Sequence, residues 1–311
     1  MISLSSKIYV AGHKGMAGSS CWRILQKSGY HNLIGHTKEE LNLMKQLDVD
    51  DFFERERPDV VIDAAAKVGG ILANDTYPYD FLMNNMLIQN NLIKASLENN
   101  VTKFIFLGSS CIYPRLAQQP LKEEYLLTSP LEPTNQWYAI AKISGLKLIE
   151  SIRAQFGRDY VSLMPTNLYG LNDTYDMNNS HVIPSMIMKF HNAKINNLKE
   201  VVLFGTGNPL REFLNVDDLA EAILVFLKSD ELKFDCYNVG SGEEISIKSL
   251  AELIKDTVCF KGDIKWDESK PDGTPRKLVD SGRIHNLGWK PKLDLKTSIG
   301  EVYLDFINRT V

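Results

Sequence analysis

The chain lacks the features that mark several classes of protein. It has four cysteines in 311 residues and no CxxC pair, so neither a disulfide framework nor a cysteine-based metal site is indicated. It has no run of about 18 apolar residues, which excludes a membrane-spanning helix. It also has no lysine and arginine block, and its formal net charge is −4, so no nucleic-acid partner is expected.

These absences favour a cytoplasmic protein with no membrane partner. The opening stretch MISLSSKIYVAG becomes polar too quickly for a signal peptide, and dispersed cysteines are typical of free thiols in a reducing compartment. Hydrophobic residues make up 44% of the chain, which is sufficient for a substantial core. No internal repeat or low-complexity tract interrupts it.

The first half of the chain alternates short apolar runs with helical patterns. Strands are predicted at 7–12, 32–37, 59–66, 102–110 and 161–170. Helices are predicted at 16–27, 46–57, 83–100 and 136–157. Such alternation indicates right-handed crossovers, a parallel sheet, and ligand sites at the carboxyl ends of the strands.

The predicted fold class is α/β, with a Rossmann-type doubly wound parallel sheet and a smaller C-terminal α/β lobe. We expect residues 1–170 to form the nucleotide-binding domain, because the alternation is regular there. We expect residues 171–311 to form mainly the substrate lobe. Segments near 211–242 are expected to return to the large domain.

A glycine loop follows the first predicted strand. Gly12, Gly15 and Gly18 form GxxGxxG at the point where the first helix opens. Glycines at this junction permit a tight turn and let backbone N–H groups approach a pyrophosphate. The position therefore favours a dinucleotide site over an ordinary turn.

The end of the second predicted strand indicates which dinucleotide binds. An acidic residue there would bind a ribose hydroxyl and favour NAD, but the chain reads His36-Thr37-Lys38 before Glu39. Lys14 in the glycine loop adds a second cation. Two lysines would attract a 2′-phosphate, so NADPH/NADP is the expected cofactor; the alternative is that both are solvated surface charges.

Three further residues complete a reductase pattern. Tyr138 and Lys142 form YAIAK on the long predicted helix and lie on one face of it, where an ammonium would lower the pKa of the phenol. Ser109 ends the preceding predicted strand, where its hydroxyl could bond the same substrate carbonyl. Taken alone, YxxxK is also compatible with an ordinary amphipathic helix. With the glycine loop, this set is similar to that of the extended short-chain dehydrogenase/reductases.

Longer stretches narrow the resemblance. They are AGHKGMAG, AAAKVGGILAN, LGSSCIYPRLAQQP, EPTNQWYAIAK, MPTNLYG, NNSHVIP, PLREFLNVDDLA and KPDGTPRKL. Over nearly its whole length the chain resembles the GDP-L-fucose synthase family. That resemblance implies an NADPH-dependent enzyme that inverts carbons 3 and 5 of a GDP-4-keto-6-deoxy sugar and then reduces carbon 4, for surface polysaccharide sugar biosynthesis. It implies a GDP-linked keto-sugar as substrate, and analogy with the superfamily implies a homodimer formed through the helix that carries YAIAK.

The resemblance also implies roles for five catalytic residues. Cys111 would be the base and His181 the acid of the epimerisation. Ser109 and Tyr138 would stabilise the enolate oxygen, and Tyr138 would later donate a proton during reduction. Lys142 would tune Tyr138 and bind the nicotinamide ribose. From the residues alone, a cysteine after a strand is more often a core residue, and a histidine in a polar loop is more often solvated.

Two sets of binding residues follow from the same resemblance. The cofactor set is Gly12, His13, Lys14, Gly15, Met16, Gly18, Lys38, Asn42, Leu43, Leu107, Gly108, Ser109, Ser110, Lys142, Pro165, Thr166, Asn167, Leu168 and His181. The substrate set is Lys189, Phe204, Arg211, Asp272 and Lys277. No metal ligand is expected.

Three positions depart from the family pattern. Lys189 stands where arginine is usual, Phe204 where tryptophan is usual, and Trp137 where a smaller residue is usual. Because these departures surround the substrate, a related hexose or heptose stays open as the substrate. A C4 reductase without epimerase activity and a non-catalytic NADP-binding sensor are the two alternative functions.

Overall fold

The computed structural model describes residues 1–176, 180–230, 232–270 and 272–310. In chain order the strands in these ranges are β1 (Ile8–Ala11), β2 (Leu33–Ile34), β3 (Val60–Asp63), β4 (Lys103–Leu107), β5 (Asp159–Pro165), β6 (Asn167–Tyr169), β7 (Glu200–Phe204), β8 (Leu210–Asn215), β9 (Cys236–Val239), β10 (Glu244–Ser246), β11 (Asp263–Asp267) and β12 (Arg276–Lys277). The helices are α1 (Met16–Lys27), α2 (Gln46–Glu56), α3 (Ile71–Thr76), α4 (Pro78–Glu98), α5 (Gln136–Phe156), α6 (Val182–Ile195), α7 (Val216–Lys228), α8 (Ile247–Val258), α9 (Gly282–His285) and α10 (Leu295–Thr310).

Six parallel strands form the central sheet in the order β2-β1-β3-β4-β5-β9. Helices α1 and α7 cover one face, and α2, α4 and α5 cover the other. Strand order reverses between β1 and β3, and a doubly wound sheet binds its ligand at such a switch point, beyond the carboxyl ends of the strands. This is the predicted α/β class with a Rossmann-type sheet.

Local sequence explains several helix boundaries. Helix α1 begins after Gly15, which is extended, and α5 ends at Gly157, which adopts the left-handed conformation with φ 64°. Pro78 is the first residue of α4, where its missing N–H costs nothing. The Asn215 side chain caps α7 by accepting the Asp217 N–H at 2.9 Å.

The C-terminal half builds a second core from α6, α8, α10 and the strands beside them. Strand β8 pairs with β6, β10 and β12, and β7 pairs with β11. The predicted strand at 161–170 is therefore two strands, since β5 ends at Pro165 in the central sheet and β6 leaves it to pair with β8. Of the segments near 211–242, β9 joins the central sheet and α7 packs on α1. Strand β8 instead belongs to the four-stranded sheet that it forms with β6, β10 and β12.

Among the described residues, no helix combines the length and the apolar character needed to cross a membrane.

A buried lysine fastens the central sheet to α7. The Lys103 side chain is 2% exposed, and its Nζ donates to the carbonyl oxygens of Phe226 and Ser229 at 2.6 and 2.9 Å. The same ammonium lies 2.8 Å from the Asp159 carboxylate. Lys103 thus donates hydrogen bonds to carbonyl groups at the carboxyl end of α7, where the helix dipole also favours a cation.

We predict that Lys103→Met lowers the free energy of unfolding by about 3 kcal/mol, since it leaves a carboxylate and two carbonyls without their donor. A urea titration followed by tryptophan fluorescence measures this loss. The matched control is Lys94→Met, which breaks an exposed pair with Glu98 and should cost under about 0.5 kcal/mol. Equal losses in the two variants would contradict the role given to Lys103.

Candidate active site

The glycine loop between β1 and α1 is too tight for side chains. Gly12 has φ +75°, and a Cβ there would lie 2.8 Å from the carbonyl oxygen of Ala64. A Cβ on Gly18 would lie 2.2 Å from the carbonyl oxygen of Gly12. No side chain caps the start of α1, so its first N–H groups face the loop without a side-chain partner. This cradle fits a pyrophosphate.

Both signs of charge surround the end of β2. Glu40 accepts the backbone N–H of Thr37 at 2.7 Å, and this hydrogen bond lowers the pKa of Glu40, with smaller contributions from His36 and Lys14. Lys14 and Lys38 both contribute to the lowered pKa of Glu39, after hydrogen bonds from its own backbone and from Thr37. Both lysines therefore lie close enough to Glu39 to act on it, in the region after β2.

His13 has a packing role in the same loop. Its ring centroid lies 5.5 Å from that of Trp22, and a Cβ on Gly35 would come within 2.4 Å of the ring. Burial lowers the pKa of His13, and the charge of Lys14 adds to the shift. His13 thus fills the space between α1 and the chain after β2.

The other predicted cofactor residues lie near strand ends. Met16 opens α1, Leu107 ends β4, Pro165 ends β5, Leu168 lies in β6, and Gly108 and Ser110 follow β4. Asn42 and Leu43 follow β2; the Asn42 side chain accepts the Met44 N–H, and the Leu43 carbonyl accepts from Asn91. Thr166 and Asn167 both donate to the Glu212 carbonyl, at 3.3 and 2.7 Å, where the chain passes from β5 to β6.

Ser109, Tyr138 and Cys111 form a connected group just beyond β4. The Ser109 hydroxyl accepts the backbone N–H of Cys111 at 3.2 Å, and Ser109 is close enough to the Tyr138 phenol to oppose the rise in the pKa of that phenol. Lys142 lies one turn after Tyr138 on α5, and its Nζ is 5.9 Å from the centre of the tyrosine ring. The Lys142 side chain is buried and donates to the Leu107 carbonyl at 2.8 Å.

The expected lowering of the Tyr138 pKa by Lys142 is wrong for this structure. Burial raises the pKa of Tyr138 strongly, the charges of Cys111 and Asp63 add to the rise, and only the Ser109 hydrogen bond opposes it. The Lys142 ammonium is directed at the Leu107 carbonyl, and desolvation of the phenol dominates. Tyr138 is therefore held protonated, as a proton donor must be.

The Cys111 thiol is half-buried and has an unusual setting for a cysteine. Its Sγ accepts from Lys277 Nζ and from Asn135 Nδ2, both at 3.4 Å. Burial acts to raise the pKa of this thiol, but the charge of Lys277, the Ser109 hydrogen bond and the charge of Arg211 together outweigh it, and the pKa is lowered. A thiol in such surroundings is a usable base, in contrast to an ordinary core cysteine.

His181 lies at the N-terminus of α6, and its side chain is 41% exposed. Its Nδ1 is 3.9 Å from Oδ1 of Asp173, whose side chain is buried. A Cβ on Gly70 would lie 2.9 Å from the carbonyl oxygen of Ser180, so the loop after β3 packs against the residue before His181. His181 thus belongs to the same edge of the central sheet as the β3 loop.

The predicted substrate residues form two groups. Lys277 and Arg211 lie beside Cys111, and Arg211 Nη2 donates to the Asp272 carbonyl at 3.3 Å. Lys189 and Phe204 form the other group, with the Lys189 Nζ 4.5 Å from the phenyl centroid. Burial lowers the pKa of Lys189.

Asp272 has a structural contact of its own. Its two carboxylate oxygens accept the backbone N–H and the hydroxyl of Thr206, at 2.7 and 2.8 Å.

Three residues of the stretches that carry the resemblance, Asn178, Asn179 and Pro271, lie outside the described part of the chain.

Sequence reasoning missed three polar residues of this region. Asn135 donates to the Cys111 sulfur, Asp173 faces His181, and Asp63 is fully buried at the end of β3. Asn135 could have been found, because it precedes Tyr138 by three residues within EPTNQWYAIAK. Asp63 also left a signal, as the one acid in the apolar run VVIDAAA.

Comparison with known proteins identifies the family. The model of the NAD dependent epimerase/dehydratase family matches residues 8–240. GDP-L-fucose synthase 1 of Arabidopsis thaliana is 54% identical over 303 residues, which are 97% of this chain and 94% of the relative. The chain belongs to the GDP-L-fucose synthase family. The resemblance stated from the sequence is thereby confirmed.

Two further comparisons extend this finding. GDP-L-fucose synthase of Escherichia coli K12 is 49% identical over 309 residues, covering 97% of this chain and 96% of that protein. The solved structure of a GDP-mannoheptose C4 reductase from Campylobacter jejuni with NADP bound is 37% identical, has a TM-score of 0.90, and covers 99% of this chain and 100% of its own. The proteins similar to this chain thus include both synthases and a C4 reductase.

We predict that Lys277→Met raises the pKa of the Cys111 thiol by about one unit, because it removes the ammonium in contact with the sulfur. Alkylation of Cys111 by iodoacetamide at pH 7 should then slow about tenfold. The rate is followed by mass spectrometry in a Cys259→Ser background, since Cys259 is exposed whereas Cys21 and Cys236 are buried.

Two control variants separate charge from shape. Lys277→Arg keeps the positive charge and should keep most of the reactivity. Lys270→Met removes an exposed charge from the same segment and should leave the alkylation rate unchanged. An unchanged rate in Lys277→Met would contradict the activation of Cys111 by Lys277.

Proposed function

We propose that this protein is an NADPH-dependent enzyme that inverts carbons 3 and 5 of a GDP-4-keto-6-deoxy sugar and then reduces carbon 4. The observation that carries the proposal is the setting of the Cys111 thiol, whose sulfur accepts from Lys277 and Asn135 and whose backbone N–H donates to Ser109, close to the Tyr138 phenol. Identities of 54% and 49% to proteins named GDP-L-fucose synthase support the same activity.

The epimerisation uses the acidity of hydrogens next to a ketone. The Cys111 thiolate takes the proton from one face of the carbon, and the negative charge spreads onto the ketone oxygen. Hydrogen bonds from Ser109 and Tyr138 stabilise that oxygen. The His181 imidazolium then returns a proton to the opposite face, which inverts the centre and leaves the substrate's charge unchanged.

The reduction uses the same hydrogen bonds from Ser109 and Tyr138 to the ketone oxygen. When bound, NADPH supplies a hydride to carbon 4. Tyr138 donates its phenolic proton to the oxygen, and the raised pKa of this phenol keeps the proton available. Lys142 provides an ammonium for the nicotinamide ribose, and the glycine loop with Lys14 and Lys38 holds the phosphates.

The two halves of the chain divide the ligands in this proposal. Residues 1–170 hold the cofactor, and residues 171–311 hold mainly the GDP moiety. Arg211 and Lys189 supply positive charge for the diphosphate, and Phe204, whose ring is exposed, offers a flat face to the base.

A C4 reductase without epimerase activity is the second candidate. The Campylobacter jejuni heptose reductase, at 37% identity, is the observation in its favour. The higher identity to the synthases and the activated Cys111 thiol favour the bifunctional enzyme.

We also propose that the protein is a cytoplasmic homodimer. All four cysteines are free thiols, which fits a reducing compartment. Tyr79, Met83 and Leu87 occur every four residues along α4 and are exposed, and Ile140 is exposed on the adjoining α5. A second copy of this helix pair would cover that apolar stripe.

The decisive test of the proposed function is exchange in D₂O. With GDP-4-keto-6-deoxy-mannose and no NADPH, we expect deuterium at carbons 3 and 5, detected by NMR. Cys111→Ser should slow this exchange by at least about 100-fold, because it removes the base. Reduction of an already epimerised substrate should fall much less.

Tyr138→Phe is the comparison variant, since it should suppress both exchange and reduction while NADPH binding, followed by fluorescence, is retained. NADPH oxidation without deuterium incorporation in the parent enzyme would favour the C4 reductase. No oxidation with any of a panel of GDP-linked ketosugars would revive the non-catalytic sensor.

For the dimer, Met83→Glu places a charge in the apolar stripe and should yield monomers in analytical ultracentrifugation at micromolar concentration. Leu304→Glu alters an equally hydrophobic exposed residue on α10 and should leave the dimer intact. A monomeric parent protein would contradict the proposal.

A further inference from the structure

Asp63, at the end of β3, is a buried carboxylate with little compensation. Its side chain is 0% exposed. Oδ1 accepts the backbone N–H of Ala65 at 3.2 Å, whereas Oδ2 is buried and has no hydrogen-bond partner among the described residues. Because an ionised carboxylate is costly to bury, a fold that retains one calls for an explanation.

The register of the central sheet places Asp63 beneath the reductase residues. Asp63 is paired with Ala11 on β1 and with Phe106 on β4, so these three side chains share one face of the sheet. The Lys142 Nζ lies 4.7 Å from the Phe106 ring centroid and donates to the next residue, Leu107. The lysine ammonium and the carboxylate therefore lie over the same part of β4.

Few other titratable groups face Asp63. From β1 there is Tyr9, and from α5 there are Tyr138 and Lys142. The buried polar side chains of α4 are uncharged: they are the amides of Asn85, Gln89 and Asn91 and the hydroxyl of Ser96. Among the described residues, Lys142 is the charged group that lowers the pKa of this carboxyl.

We propose that Asp63 is a positioning residue of the reductase site, whose carboxylate keeps the Lys142 ammonium charged inside the protein. This inference deepens the proposed function and rests on it for the role of Lys142. The lysine is fully buried, and an ammonium without a counter-charge in such a site readily loses its proton. Asp63 supplies that charge from within the sheet, where its side chain is closed off from the solvent.

The protonation behaviour agrees with this arrangement. Burial lowers the pKa of Lys142, and the charge of Asp63 opposes the change. Burial raises the pKa of Asp63 to about 6, so the carboxyl is ionised at neutral pH and above, and its negative charge is then present to oppose the loss of the lysine proton.

The test is Asp63→Asn, which preserves shape and removes the charge. The titration of Lys142 is followed by NMR in protein labelled with ¹³C-lysine, with its resonance identified by its loss in Lys142→Met. We expect the pKa of Lys142 to fall by at least about one unit. The alkaline limb of the pH profile of kcat for reduction should move to lower pH by the same amount.

Stability provides a readout that does not depend on activity. A carboxyl whose pKa is higher in the folded than in the unfolded state destabilises the fold as pH rises from about 4 to about 6, and this cost persists above that window. Asp63→Asn should therefore melt at a higher temperature than the parent at pH 8. The difference should vanish near pH 4.

Asp218→Asn is the matched control. Asp218 is also buried, but its two oxygens accept the N–H groups of Lys292 and Leu293, both at 3.0 Å, and it lies on α7, across the sheet from α5. The Asp218→Asn variant should not alter the titration of Lys142.

The inference is overturned if Lys142 has the same pKa in Asp63→Asn as in the parent. It is also overturned if that pKa shifts while the pH profile of kcat does not. If the parent reduces no GDP-ketosugar, the proposed function fails alone, and the titration then decides the inference.

Discussion

The burial of charge at the carboxyl end of β4 is the constraint on which this site depends. In the proposed reaction, water must be excluded there for a sugar ketone to be polarised strongly, yet the Cys111 thiolate and the Lys142 ammonium must remain ionised. The structure meets both conditions by giving each charge a fixed neighbour. Lys277 and Asn135 stabilise the Cys111 sulfur, and the Leu107 carbonyl accepts from Lys142. Desolvation also raises the pKa of Tyr138, so the phenol keeps the proton that it donates in the proposed reaction.

Much of the fold and part of the site could be predicted from local sequence. The glycine loop is visible because the tight β1–α1 junction has space for no side chain at Gly12 or Gly18. The strands of the central sheet are continuous apolar runs because both faces are covered. In the sequence, Gly157 marks the end of helix α5, and the YAIAK motif indicates the reductase residues that this helix carries.

The features of the fold and of the site that could not be predicted depend on contacts between distant parts of the chain. Lys277 lies 166 residues from Cys111, and no periodic pattern connects the two. The change of sheet between β5 and β6 occurs at Thr166, inside the stretch VSLMPTNLYG, which the sequence pattern predicts as one strand. The raised pKa of Tyr138 could not be foreseen, since a Tyr–Lys spacing on a helix shows proximity along the helix and carries no information on burial or on what else the ammonium binds.

Two departures from the family pattern are in contact with each other, which changes how they should be interpreted. The resemblance implies an arginine at the position of Lys189 and a tryptophan at that of Phe204, and here the lysine ammonium lies 4.5 Å from the phenyl centroid. This pair places a cation over an aromatic face, but it lacks the bidentate geometry of an arginine and the N–H donor of an indole. This pair lies on β7 and α6, apart from the group around Cys111, and in the function proposed above it belongs to the GDP end of the substrate. In that proposal the groups that act on the sugar ketone lie elsewhere, so a change at Lys189 or Phe204 alters the recognition of the nucleotide and leaves the groups of the reaction in place.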